Sequence, residues 1–231
     1  MIEFKDKLHT FLYMRIGVAI PCYIGHIEDL RTLLDSVAKQ TRLPDKVVVS
    51  CSSTAEMPPE FPKYDFDLQI ICDPSVKNPS QNRNIAARHL DTDIISFFDA
   101  DDIMHPQRIE FIERAFLGNA DIVLHNFEME PSQFNLYDSC NISYNGLSQC
   151  QSGCIRHINL NADYHIHHAE VSVKREIFEQ VQFDEGPTGI GREDCIFCWS
   201  AFALPNITNA YISNKLSLYL PSRTFAQGCY L

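Results

Sequence analysis

Short apolar runs alternate along the chain with stretches of helical spacing. The run at 16–20 predicts a strand stopped by Pro21, and 26–40 predicts a helix with Leu30, Leu33, Leu34 and Val37 on one face. Further strands are predicted at 47–49, 68–72 and 94–98, with a short helix at 81–89 between the last two. Pro106 marks a helix start, because Ile109, Ile112, Ala115 and Phe116 follow at helical spacing, and 122–124 reads as another strand. From 127 to 163 the periodicity fades and no element is predicted. It returns with a strand at 170–173, helices at 175–181 and 193–202, and a closing strand at 216–220. This alternation predicts an α/β fold with a largely parallel sheet covered by helices on both faces.

Composition narrows the class. With 231 residues, 45% hydrophobic and 21% charged, the chain can bury a sizeable core and is not disordered. Its net charge of −11 repels polyanions, so no nucleic-acid partner is expected. No apolar run reaches the roughly 18 residues needed to span a bilayer, so no integral membrane segment is expected. Phe11 to Met14 is cut short by Arg15, carries no cleavage site and reads as mature protein. Nine cysteines, an odd number in a chain too long to need staples, suggest a reduced, cytoplasmic setting.

Three segments carry chemistry. Asp99, Asp101 and Asp102 follow an apolar strand, at the end where open α/β sheets bind ligands. Carboxylates so close call for a hard cation, Mg²⁺ or Mn²⁺, shared with a diphosphate; the competing reading makes Asp102 a helix cap. In the second segment Gly189 and Gly191 precede Glu193 and Asp194, which open an amphipathic helix. There a carboxylate serves as a general base, or the acid pair only complements the helix dipole. Third, Arg83 stands near a helix start with a planar fork suited to phosphate, although an arginine on a helix is usually solvated.

Taken in order, Ile20-Pro21-Cys22-Tyr23, Arg83-Asn84, Asp99 to Asp102 with Pro106, Lys174-Arg175-Glu176-Ile177-Phe178 and Glu193-Asp194 resemble the GT-A fold glycosyltransferases of the family 2 type. The resemblance covers about residues 15–202. It implies a single Rossmann-like GT-A domain over 1–231, with a nucleotide-sugar-binding half at about 15–110 and an acceptor-binding half at about 111–231. It further implies a nucleotide-sugar donor contacted by Pro21, Tyr23, Ser50, Arg83, Asp99, Ala100 and Asp101. Asp99 would lie near the ribose and Asp101 on the metal, the two together holding Mn²⁺ or Mg²⁺. Asp194 would take the proton of an acceptor hydroxyl in an inverting displacement, with Glu193 orienting the acceptor and Gly191 and Trp199 beside it. The acceptor would be a glycan, a glycoprotein or a lipid-linked sugar.

Two departures from the family pattern stand out. Ser50-Cys51-Ser52 replaces the usual acidic pair that meets the nucleobase, so a uracil donor does not follow. No histidine follows His168 to serve as a late metal ligand, leaving Asp101 with the diphosphate, or a histidine from elsewhere. His165 and His167 alternate and so share a face; metal ligation is one reading, and acceptor-side hydrogen bonding or surface exposure is the favoured one. Cys140, Cys150, Cys154 and His157 match no common zinc spacing, and Cys195 and Cys198 read as buried thiols. A sugar-phosphate nucleotidyltransferase would need a glycine-rich, arginine-containing loop after the first strand, which Pro21-Cys22-Tyr23-Ile24-Gly25 does not supply. A non-catalytic carbohydrate- or nucleotide-binding module is the remaining alternative.

Overall fold

A computed structural model describes residues 14–129, 134–150, 155–158, 166–186 and 191–220. Four parallel strands, β1 (Ile16–Tyr23), β2 (Lys46–Ser52), β3 (Leu68–Asp73) and β4 (Ile94–Phe97), lie in the order β3-β2-β1-β4. β1 pairs with β2 along its length and with β4 only from Ile16 to Ala19. Contrary to expectation, Pro21 does not end β1. The Ala19 carbonyl accepts the Phe98 N–H at 3.1 Å, so Ala19, and Pro21 two residues on, turn their backbone toward β4. There β4 has already stopped, and the missing proline N–H costs no ladder bond.

The second half of the sheet is mixed. β10 (Ser172–Lys174) runs antiparallel between β4 and β6 (Ile122–Glu128), and β11 (Asn209–Leu218) lies parallel to β6. β5 (Ile103–Met104) and β7 (Ile142–Tyr144) each pair antiparallel with β11, and β8 (Leu147–Gln149) with β9 (Ile155–His157) forms a separate pair. The longer ladders are all parallel.

β7, β8 and β9 fall where no element was expected, and β11 starts at Asn209 instead of 216. The cause is buried polarity. Asn209 exchanges side-chain bonds with both backbone groups of Leu147, and Asn214 does the same with the Asn141 N–H and the Ser139 carbonyl. These amides stand in for peptide groups inside the sheet. Register shifts between Ile212 and Leu218 further break the alternation that would have betrayed the strand.

Helices α1 (Ile27–Val37) and α3 (Arg108–Leu117) cover one face of the sheet, and α2 (Pro79–Arg88), α4 (Arg175–Gln180) and α5 (Glu193–Phe202) the other. The alternation of β2 shows the division: Val47 and Val49 join the first core, Val48 the second. The four apolar positions expected on α1 are fully buried. α2 begins earlier than the apolar pattern suggested because Asn78 and Gln81 close a reciprocal capping box over Pro79.

One arginine ties the two halves together. Arg108, fully buried, donates to Ser96 Oγ (2.8 Å), to the carbonyls of Phe97 and Glu170, and from Nε to His125 Nε2 (2.9 Å). Since His125 Nε2 accepts, its ring proton sits on Nδ1, toward the Asn126 carbonyl at 2.9 Å. Burial, reinforced by the Arg108 charge, pushes His125 down to about 4. An unfolded histidine titrates near 6.5, so as the pH falls from about 6.5 to 4 the unfolded chain takes up this proton first and stability drops, by on the order of 3 kcal/mol. Urea unfolding at pH 7 and pH 4.5 checks this: His125→Gln, whose amide can still accept from Arg108, should show a smaller change in midpoint than the wild type. Equal changes would show that His125 carries no part of the acid sensitivity.

Candidate active site

The C-terminal ends of the parallel strands form the rim of a cleft. Asp99 follows β4, Arg83 rises from α2, and Glu193 and Asp194 open α5. Arg83 is almost completely buried and bridges two of these segments: Nη2 donates to Asp99 Oδ1 at 2.7 Å and Nη1 to Glu193 Oε1 at 2.9 Å. Its guanidinium also lies 5.3 Å from the Phe183 ring. Burial works against its charge, but Asp99, Glu193 and Asp194 more than offset this and raise its pKa. Neighbouring Asn84 exchanges two hydrogen bonds with the Phe183 backbone, pinning the segment that leads to α5.

This geometry gives Glu193 and Arg83 a different place from the one expected. Glu193 Oε2 accepts the Gly191 N–H at 2.8 Å while Oε1 takes Arg83, so the side chain points inward and holds the α5 entry. Gly191 has φ +81°, a conformation in which glycine carries no Cβ penalty. Both terminal nitrogens of Arg83 are engaged by carboxylates, so a nucleotide phosphate would have to compete with them. Asp194 is half-buried in the first turn of α5, and its Oδ1 accepts the Cys195 N–H at 2.7 Å. Trp199 sits five residues further, about 140° around the helix, where its carbonyl accepts from Gln149 Nε2 at 2.7 Å. The two are not on one helix face.

At the ends of the parallel strands, Pro21, Ser50 and Ala100 lie buried beneath the rim, while Tyr23, Asp99 and Asp101 reach its surface. Ser50 Oγ donates to Asn82 Oδ1 (3.0 Å), and Asn82 Nδ2 donates to the Cys22 carbonyl and Ser52 Oγ (each 3.0 Å). A closed amide and hydroxyl network thus occupies the position of the missing acidic pair.

Asp101 Oδ2 stands 3.8 Å from His26 Nε2, and the His26 ring packs edge-on against Tyr23 at 4.4 Å. Burial and the charge of Asp99 raise the Asp101 carboxyl to about 6. Asp102 is not the helix cap that one reading expected; α3 has no side-chain cap. Instead it is 1% exposed, Oδ1 accepts the Leu220 N–H at 2.8 Å, and Oδ2 is buried with no hydrogen-bond partner among the described residues. Burial and the charges of Glu170, Asp99 and Asp101 push its carboxyl well above the usual range.

Two trios of side chains among the described residues could hold a metal ion. One ligand atom each of Asp99, Asp102 and His167 lie within 4.8 Å of one another, and so do those of His168, Asp194 and Cys195. Asp101, expected as the principal metal ligand, is in neither. In the second trio the Ile155 N–H donates to His168 Nε2 at 3.1 Å, so the ring proton is on Nδ1, facing Cys195 Sγ at 3.7 Å. That imidazole has no open lone pair for a metal. The first trio has no such obstacle, and its orphaned Asp102 oxygen suits a cation. His165, Gly189 and Cys154 lie outside the described residues. His157 bonds to Ser143 at 3.0 Å, Cys22, Cys51, Cys72, Cys140 and Cys198 are free thiols, and burial pushes the Cys198 thiol well up.

The sequence profile described as Glycosyl transferase family 2 matches residues 17–181. The chain belongs to that family. Its fold is GT-A: S. aureus TarS 1-349 in complex with UDP superimposes with a TM-score of 0.66 at 18% identity, over 90% of this chain and 61% of that one. The same TarS fragment in complex with UDP-GlcNAc gives 0.66 at 17% identity, over 91% and 59%. S. aureus TarS gives 0.65 at 18%, over 90% of this chain and 37% of that one. The chain therefore spans less than two thirds of those structures. No curated protein sequence matches it. In this family 2 member, α5 with Glu193 and Asp194 lies beyond the profile match, and Glu193 ties it to the site through its hydrogen bond to Arg83. No helix among the described residues is long and apolar enough to cross a membrane.

If Arg83 holds the cleft together, Arg83→Gln leaves the buried Glu193 and the half-buried Asp99 carboxylates without their counter-charge. Urea unfolding should then register a loss of about 3 kcal/mol. A loss below about 0.5 kcal/mol, the level of an exposed ion pair, would reduce the bridge to a surface contact.

Proposed function

We propose that this chain transfers a sugar from a nucleotide-sugar donor to a hydroxyl of a glycan, glycoprotein or lipid-linked acceptor, with a divalent cation and with inversion at the anomeric carbon. The observation that carries the reading is the Asp99–Arg83–Glu193 bridge, which sets the acidic rim after β4 and the start of α5 against one cleft. TarS, which shares the fold, has been crystallised with UDP and with UDP-GlcNAc, and this supports a donor of that chemical class.

Asp99 and Asp101 line the rim where the donor diphosphate would lie, with Tyr23 at its edge. A bound Mn²⁺ or Mg²⁺ supplies positive charge to the diphosphate as it departs. Asp194 is the general base: it accepts the acceptor hydroxyl proton as the oxygen attacks the face of the sugar opposite the diphosphate, so the configuration inverts in one displacement. Arg83 and Glu193 act through position, the first by holding Asp99 and the second by fixing the turn before Asp194. The reading treats residues 1–231 as one domain, with its donor half at about 15–110 and its acceptor half at about 111–231.

Transfer from a panel of nucleotide-sugars including UDP-GlcNAc, assayed with Mn²⁺ or Mg²⁺, tests the reading. Asp194→Asn should lower turnover by roughly 10²–10⁴-fold while leaving nucleotide affinity unchanged, and Asp101→Ala should lower both. The product anomer, read by NMR, should be inverted relative to the donor. Turnover of Asp194→Asn within tenfold of the wild type would remove it as the base. Tight donor binding without transfer or hydrolysis would favour a binding module.

A further inference from the structure

We propose that His167 supplies the nitrogen ligand of the divalent cation and that, with Asp99 and the buried Asp102, it forms a site selective for Mn²⁺ over Mg²⁺. This rests on the metal-dependent reading above and deepens it by naming a ligand set different from the Asp99 and Asp101 pair.

The geometry comes first. One oxygen each of Asp99 and Asp102 and one ring nitrogen of His167 lie within 4.8 Å of one another. Donors bound to one ion at about 2.0–2.4 Å sit no more than about 4–5 Å apart, so the trio converges closely enough to share a cation. The second observation is independent of distance. Asp102 is 1% exposed, its Oδ1 is taken by Leu220, and Oδ2 has no partner among the described residues. Buried polar atoms in native structures are nearly always satisfied, by protein, water or a bound ion, and beside two other acids a cation is the partner we assign to this one.

His167 is held for this task. Its ring packs against Tyr219 at 4.8 Å and Phe127 at 5.6 Å, which fixes its plane. Glu170 Oε2 stands 3.8 Å from its Nδ1, in the supporting place that a carboxylate takes behind many metal-bound imidazoles. Neither Nδ1 of His167 nor Oε1 of Glu170 makes a hydrogen bond among the described residues. The nearby alternatives are committed elsewhere: His168 to Ile155 and Cys195, His125 to Arg108 and Asn126.

An imidazole also changes which ion fits. Mg²⁺ prefers an all-oxygen shell, whereas an added nitrogen donor favours a softer transition ion such as Mn²⁺.

Pulsed EPR of Mn²⁺ bound to the full chain labelled with ¹⁵N-histidine, with and without UDP, tests this directly. A ¹⁵N coupling to Mn²⁺ is expected in the wild type and in His26→Gln, and its loss in His167→Gln. The Mn²⁺ dissociation constant should rise roughly 10–100-fold in His167→Gln and in Asp102→Asn, while that for Mg²⁺ in His167→Gln changes less than threefold. Bound Mn²⁺ without nitrogen coupling in the wild type would overturn the proposal even if a variant misfolds, and would leave metal dependence intact. A coupling lost in His26→Gln and kept in His167→Gln would also overturn it, moving the nitrogen ligand to the partner of Asp101. UDP binding with no Mn²⁺ bound would overturn this proposal and metal dependence together.

Discussion

A buried guanidinium flanked by carboxylates is the interaction on which the cleft depends. Arg83 has almost no contact with solvent, so its charge is tolerated only because Asp99 and Glu193 lie within hydrogen-bonding distance. The dependence is mutual. Without that cation, the acids at the strand end and the helix start would face each other unneutralised, and Glu193, which tethers the entry to α5 through Gly191, would lose its counter-charge. The bridge therefore couples folding to the assembly of the site: the residues that meet there are 110 positions apart in sequence.

The far side of the sheet relies on a second buried arginine with a different logic. Arg108 is satisfied mainly by neutral acceptors, namely carbonyls, a hydroxyl and an imidazole, and by the face of Phe98 4.7 Å away. Burial accordingly lowers its pKa to about 10, where Arg83 is raised. Glu170 lies within reach of this group and of His167. Burial opposes its ionisation, yet His167, His125 and Arg108 hold it down to about 2. Positive charge is thus spread beneath a rim that bears the acids.

Much of the first half was legible because β1, β2 and β4 are buried on both faces and α1 and α3 are amphipathic, the conditions under which periodicity carries information. Residues 127–163 gave no such signal: β7 to β9 are three residues each and partly exposed, and β11 hides its strand character behind Asn209, Asn214 and a shifted register. At the site, Asp99, Arg83, Glu193 and Asp194 were found by type and order, but the partners of Arg83 and Glu193 were not, since which acid meets which base is decided by tertiary distance. His26 was overlooked although the loop after β1 is where ligand-facing groups collect. The alternative reading of Asp102 as a cap fails because the helix begins later, at Arg108, with Gln107 before it.

β10 has a consequence that reaches beyond packing. In a purely parallel sheet every strand leaves the ligand-binding rim at its carboxyl end, so only the outgoing connection can furnish side chains there. Because β10 runs the opposite way between β4 and β6, the Val171 carbonyl meets the Phe97 N–H and the incoming segment from Ile166 to Glu170 arrives at that same rim. Histidines and an acid are thereby delivered by a stretch that belongs to no strand-helix unit. The rim thus carries side chains of two origins, some leaving the parallel strands and some arriving ahead of β10.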